Sequence, residues 1–185
     1  MCKPLFVRGK LLIPLNTLGA LIAAFPAAAG TGTAGQTLTA TISPVGALTA
    51  PATAVLTTSS TTFQPFTVTV PVNYQIRTTP AGSGAITLQV TGDFTPSGGP
   101  SAATGALSYL CSGVNLGTPC SGTQTASTTS QTPVLSVPAS ACTGGGGSCS
   151  AQNPNSMNIS FKPTNNPAYP TGSYSARVTF TISAM

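Results

Sequence analysis

The sequence contains no histidine and no tryptophan, and Asp93 is its only acidic residue in 185 positions. Charged residues make up 4% of the chain, against about 25% in ordinary domains. General acid–base catalysis, base-activated serine or cysteine nucleophiles, carboxylate pairs and most metal sites need His, Asp or Glu within reach of one another. A lone carboxylate supplies none of these arrangements. The chain therefore reads as non-catalytic, with no cofactor and no metal centre.

What remains is apolar and β-forming. Hydrophobic residues are 41% of the chain, beside 20 Gly, 17 Pro and an abundance of Thr and Ser. Disordered chains are charge-rich and poor in β-branched side chains, so this composition belongs to a folded, β-rich protein.

The few charges are unevenly placed. Lys3, Arg8 and Lys10 precede the apolar run Leu11 to Phe25, which leads into Pro26-Ala27-Ala28-Ala29. A basic start, a short apolar centre and small residues at Ala27 and Ala29 are the pattern of a secretory signal peptide over 1–29, with Ala34 as a second cleavage point. The run is shorter than the roughly 20 apolar residues of a spanning helix and contains Pro14 and Asn16, so no membrane span is expected after cleavage. Cys2 lies ahead of the run, away from any cleavage point.

Removal of the leader leaves Arg77, Lys162 and Arg177 against Asp93, a net charge of 3 − 1 = +2. Three scattered cations do not form the stripe that neutralises phosphates, so no nucleic-acid partner is expected. The remaining length suits one domain with a sizeable core.

Cys111, Cys120, Cys142 and Cys149 are an even set in a chain addressed to an oxidising compartment, which points to disulfides. Local pairing, Cys111 with Cys120 and Cys142 with Cys149, is the simplest of three connectivities. The spacings are wider than those of zinc knuckles, which argues against a thiolate metal site.

A period of two runs through the chain after the leader. Leu38, Ala40 and Ile42 alternate with Thr and Ser, and Phe66, Val68, Val70, Val72, Tyr74 and Ile76 alternate with mostly polar residues. The pattern returns at Ile86, Leu88 and Val90, at Leu107, Tyr109 and Cys111, at Met157, Ile159 and Phe161, and from Tyr174 to Ala184, with weaker candidates at Val55-Leu56 and Val134 to Val137. Such runs are half-buried strands. Turn clusters separate them, and no helical period survives beyond the leader. Seven or eight short strands predict an all-β protein with a single antiparallel β-sandwich of the immunoglobulin-like kind, a small barrel being the alternative. Residues 30–43 are then either an N-terminal extension or a first strand, and 44–185 the sandwich domain. Pro71 lies inside a long alternating run and cannot donate to a ladder, so that strand is expected at an edge or bulged. Gly113 to Ser130 reads as a long loop tied down by Cys120.

Other motifs are bland. Gly144 to Gly147 resemble a phosphate cradle but are followed by no Lys and no helix. Ser160 and Lys162 sit two apart on one strand, with nothing to form an oxyanion hole or base beside them. Asp93 opens Asp93-Phe94-Thr95-Pro96, a strand entering a turn, and one carboxylate is too few for calcium. Asn158-Ile159-Ser160 is a formal glycosylation sequon inside a strand.

Strands that face water normally carry charges which stop their edges pairing with other chains. This sequence has almost none, so its strands are expected to be glycosylated, covered by neighbouring subunits or prone to aggregate, and of these assembly with neighbours is favoured. Its last segment, Gly172-Ser173-Tyr174-Ser175-Ala176-Arg177-Val178-Thr179-Phe180-Thr181-Ile182, resembles the terminal strand of chaperone–usher pilins and of spore coat protein U-like domains. In those families a Gly lies fourteenth from the end, as Gly172 does here. The resemblance implies that Tyr174, Ala176, Val178, Phe180 and Ile182 form an assembly strand gripped by a periplasmic chaperone and delivered to an usher. It also implies a subunit short of one sandwich strand, which a neighbour's N-terminal extension supplies, with Leu38, Ala40 and Ile42 as the donor residues here. Pilins carry an aromatic next to last, where this chain has Ala184, and an early disulfide, where it has no Cys.

Two functions are therefore expected to compete. One is a secreted, non-catalytic structural subunit of a cell-surface fibre or coat that self-associates into a polymer by strand donation. The other is a self-contained extracellular β-sandwich that binds, for example, a polysaccharide through its loops. The scarcity of aromatics and carboxylates disfavours the second.

Overall fold

The computed structural model describes residues 36–57, 62–79, 81–139 and 154–185. The chain divides into two units, Met1–Thr39 and Ala40–Met185. Of the first, only 36–39 are described, without regular secondary structure and exposed. The expected leader, Cys142, Cys149 and the Gly144 to Gly147 run lie outside the described residues.

The second unit is built from strands β1 (Val45–Thr49), β2 (Val68–Arg77), β3 (Gly84–Thr95), β4 (Leu107–Ser112), β5 (Thr118–Pro119), β6 (Gln124–Thr125), β7 (Thr132–Val137), β8 (Asn155–Pro163) and β9 (Ser175–Ala184). They form a five-stranded sheet of order β1-β2-β8-β4-β6 and a four-stranded sheet of order β5-β7-β3-β9. Every ladder is antiparallel. The two sheets form a sandwich and no closed barrel. In immunoglobulin domains strands A, B, E and D make one sheet and C, F and G the other. Here β1, β2, β8 and β4 follow the A-B-E-D order, and β3 with β9 follows C-F.

Alternation puts one face of each strand inward. Val70, Val72, Tyr74 and Ile76 of β2, Ile86, Leu88 and Val90 of β3, Leu107, Tyr109 and Cys111 of β4, and Met157, Ile159 and Phe161 of β8 are all buried. The two buried tyrosines bring their polar ends to partners. Tyr109 donates its hydroxyl to the Pro133 carbonyl across the sandwich at 2.7 Å, and Tyr74 donates to the Leu116 carbonyl. Burial pushes both phenols above their ordinary value, with Tyr74 partly offset by its Leu116 bond. Cys111 is bonded to Cys120 across a Cα separation of 5.7 Å, as expected from their local spacing.

Several expectations need correction. Leu38, Ala40 and Ile42 form no strand, and the first ladder begins at Val45, just past Pro44. Leu38 is 87% and Ile42 72% exposed, and among the described residues no ladder includes them. Val55-Leu56 is likewise no strand. The supposed loop from Gly113 to Ser130 contains β5 and β6, both too short for a period to reveal. A short 3-10 turn, Ala102–Thr104, also carries no periodic signal.

Pro71 is not on an edge strand, since β2 lies between β1 and β8. It is nevertheless where pairing on one side stops. β1 pairs with β2 as far as Thr49 opposite Asn73. Carried forward, that register would set Pro51 opposite Pro71, two residues that have no N–H to give. The ladder breaks there and resumes only at a single bridge, Thr57 opposite Thr67. The original register would have brought Val55 to Thr67, so the span between holds two extra residues. An even slip keeps the same side chains inward: Leu48 and Ala50 before the break and Leu56 after it all pack against the core.

Candidate functional site

The most open part of the sandwich lies beside β9. β9 pairs with β3 along one edge, from Gly84 opposite Ala184 to Thr95 opposite Ser175. Among the described residues nothing pairs with its other edge, the side on which strand G stands in an immunoglobulin domain. Its inward residues are correspondingly only half covered: Val178, Phe180 and Ile182 are partly buried where their counterparts on β3 are fully buried.

A groove with a cavity volume of about 300 Å³ runs along this edge between the sheets. It is lined by Val178 and Phe180 of β9, by Val70, Leu107 and Phe161 from the facing sheet, and by Pro51 to Ala54. No charged side chain lines it. Further along β9, at Ile182, β1 packs against the strand. A Cβ on Gly46 would stand 3.0 Å from Ile182 Cγ1, so the glycine lets the β1 backbone rest directly on that side chain. At the other end Tyr174 lies against the backbone of Gly99 and donates its hydroxyl to the Pro170 carbonyl at 2.7 Å.

Asp93 organises the chain that follows β3. Its carboxylate accepts hydrogen bonds from the Phe94 N–H (2.8 Å), the Ser101 hydroxyl (2.6 Å), the Ala102 N–H (2.7 Å) and the Ala103 N–H (3.4 Å). The carboxylate thus caps the 3-10 turn from eight residues upstream, and the neighbouring Phe94 side chain lines the groove. Burial alone would raise this carboxyl, but the bonds from Ser101, Ala102, Phe94 and Ala103 outweigh it and hold the group below its ordinary range.

The residues singled out in the sequence fall in several places. Val178 and Phe180 are in the groove, and Ile182 lies outside its lining, against Gly46. Ala176 lines the groove and is exposed. Gly172 lies in the turn before β9, where an added Cβ would meet Tyr174 only at 3.9 Å. The Cys111–Cys120 bridge is elsewhere, between β4 and the segment that follows it. Ser160 and Lys162 form no pair of any chemical use, and the Ser160 hydroxyl meets that of Thr69 at 3.0 Å. Among the described residues no three side chains of the metal-ligating kinds gather, and no helix is long and apolar enough to cross a membrane. Sequence reasoning missed Pro51 to Ala54, Gly46 and the role of Asp93, since none of them carries a periodic signal.

The fold and groove define a class, a two-sheet antiparallel β-sandwich with an open final edge. Comparison with protein-family models and with curated proteins finds no match to this chain.

Proposed function

We propose that the protein is a secreted, non-catalytic structural subunit of a cell-surface fibre or coat, and that copies join by strand donation. The segment around Leu38, Ala40 and Ile42 of one copy would pair with the free edge of β9 in the next and place its apolar side chains in the groove. The observation that carries this reading is the unpaired outer edge of β9, with Val178 and Phe180 half covered beside an uncharged groove. The exposed Leu38 and Ile42 supply the matching alternation.

The energetics favour such an exchange. A strand in an edge position gains main-chain hydrogen bonds along its length. Each large apolar side chain moved from water into the groove contributes about 1.5–3 kcal/mol. Before assembly the same edge would need protection from chance pairing, the task of a periplasmic chaperone in the pilin-like families, with an usher to export the product.

Size-exclusion chromatography and electron microscopy of the mature protein test the proposal. Polymers are expected, and deletion of residues 30–43 is expected to leave a folded monomer that binds the deleted segment as a peptide. A full-length mature protein that stays monomeric at high concentration would refute assembly. A truncation that unfolds would show that 30–43 serves its own sandwich.

A further inference from the structure

The span between Thr49 and Thr57 borders the groove, yet it belongs to neither sheet. It leaves β2 where Pro51 would meet Pro71, returns at the Thr57–Thr67 bridge, and holds two residues more than the direct path needs. Among the described residues no backbone hydrogen bond is made by Ala50 to Leu56. Pro51 to Val55 are exposed, and Val55 is 78% so. Only Ala50 and Leu56, at the ends, pack against the core. Val70, 6% exposed, and Leu107, 3% exposed, line the same groove as Pro51 to Ala54.

From these facts we infer that residues 50–56 form a strap that opens while the rest of the sandwich stays folded, and that its opening admits an incoming strand to the groove. A segment opens separately from its domain when it has few buried apolar contacts and no ladder bonds to break. The strap meets both conditions. It is fixed at each end by paired residues, Thr49 and Thr57, and the two-residue slack lets it move without disturbing either. Because the slip is even, closing restores Leu56 to the face it left. The strap's role as a gate rests on the strand-donation reading, whereas its local opening does not.

Thiol labelling separates the two. The single substitutions Val70→Cys and Leu107→Cys, made independently in the full mature chain, place a reporter in the groove beside the strap from two different strands. Val137→Cys, fully buried on β7, reports whole-domain unfolding. With circular dichroism confirming the fold of each variant, a small alkylating reagent is expected to modify the two groove reporters at least about tenfold faster than Val137→Cys. Equal rates for all three would overturn the strap. Removing the slack by deleting Pro51 and Ala52, which makes the β1 register continuous to Thr67, is expected to slow both groove reporters toward the Val137→Cys rate, and unchanged rates would also overturn it. A synthetic peptide of residues 36–44 is then added to a Val70→Cys variant lacking residues 30–43. Fast labelling that the peptide blocks supports strap and gate together. Fast labelling that it never affects sustains the opening and overturns both the gate and strand donation, while slow labelling with measured peptide binding overturns the strap alone.

Discussion

Ser101 donates its hydroxyl hydrogen to Asp93 at 2.6 Å, eight positions away along the chain, and so ties the end of β3 to the turn that leads into β4. The same carboxylate takes three backbone N–H groups, which makes the only acid in the sequence a structural cap. Asp93→Asn replaces one accepting oxygen with a donor that the surrounding N–H groups cannot use. The variant is expected to lose about 1 kcal/mol in urea denaturation, the ordinary net worth of a hydrogen bond. An unchanged midpoint would mean that water replaces the carboxylate without loss.

The pH dependence follows from the same group and from the two buried tyrosines. A carboxyl with a lowered folded-state value contributes stability that is complete above its unfolded value, about 3.9, and lost as pH falls through the folded one. Tyr74 and Tyr109 are raised by burial, so their contribution is complete below about pH 10 and lost as pH rises further. Stability should therefore be flat from about pH 5 to 9, with a loss on the acid side from Asp93 and another on the alkaline side from the two tyrosines. Denaturation curves across that range check this, and a steep change near neutrality would contradict it.

The Cys111–Cys120 bridge closes a short loop that contains Leu116, whose carbonyl receives the Tyr74 hydroxyl. Replacing both cysteines by serine is expected to cost roughly 2.5 kcal/mol on the loop-entropy account. The buried phenol should also lose its fixed environment, seen as a weaker near-ultraviolet dichroism signal from tyrosine.

Two glycines at the same end of the groove should behave differently. A Cβ on Gly99 would stand 2.2 Å from the Tyr174 ring, whereas one on Gly172 would meet that ring only at 3.9 Å. Gly99→Ala is expected to displace Tyr174, break its bond to Pro170 and destabilise the fold by about 1–3 kcal/mol. Gly172→Ala should leave the thermal midpoint of the subunit nearly unchanged. A loss of assembly in Gly172→Ala, with stability intact, would place that glycine's role in the joint between subunits.

The sheet scaffold was legible because its strands are long enough for alternation to stand out. Val70, Val72, Tyr74 and Ile76 announce β2 and its buried face, as Met157, Ile159 and Phe161 announce β8. At Leu38, Ala40 and Ile42 the alternation stands without a strand, since among the described residues no ladder includes them, which leaves the reading of 30–43 as an extension. Pairing is a property of two segments, and a period describes only one. The β9 wall of the groove could be named in advance from Val178 and Phe180. Its rim could not, since Pro51 to Ala54 line the groove by virtue of a register slip set by two prolines far apart in sequence. Asp93 was visible as a turn residue, but the donors that make it a cap are brought to it by the turn of the chain after Pro96.

The far end of β9 is stitched into the β2–β3 turn. The Thr79 N–H donates to the Met185 carbonyl at 3.0 Å, the Met185 N–H donates to the Ser83 carbonyl at 2.9 Å, and a side chain on Gly82 would collide with the Met185 backbone. A strand pinned in this way cannot slide past β3 by one place, the movement that would turn Val178 and Phe180 outward and Thr179 inward. The open edge therefore behaves as a ruler fastened at its zero mark. Whatever reads it meets apolar and hydroxyl positions in one unvarying phase, set by a turn at the opposite end of β9 from Tyr174.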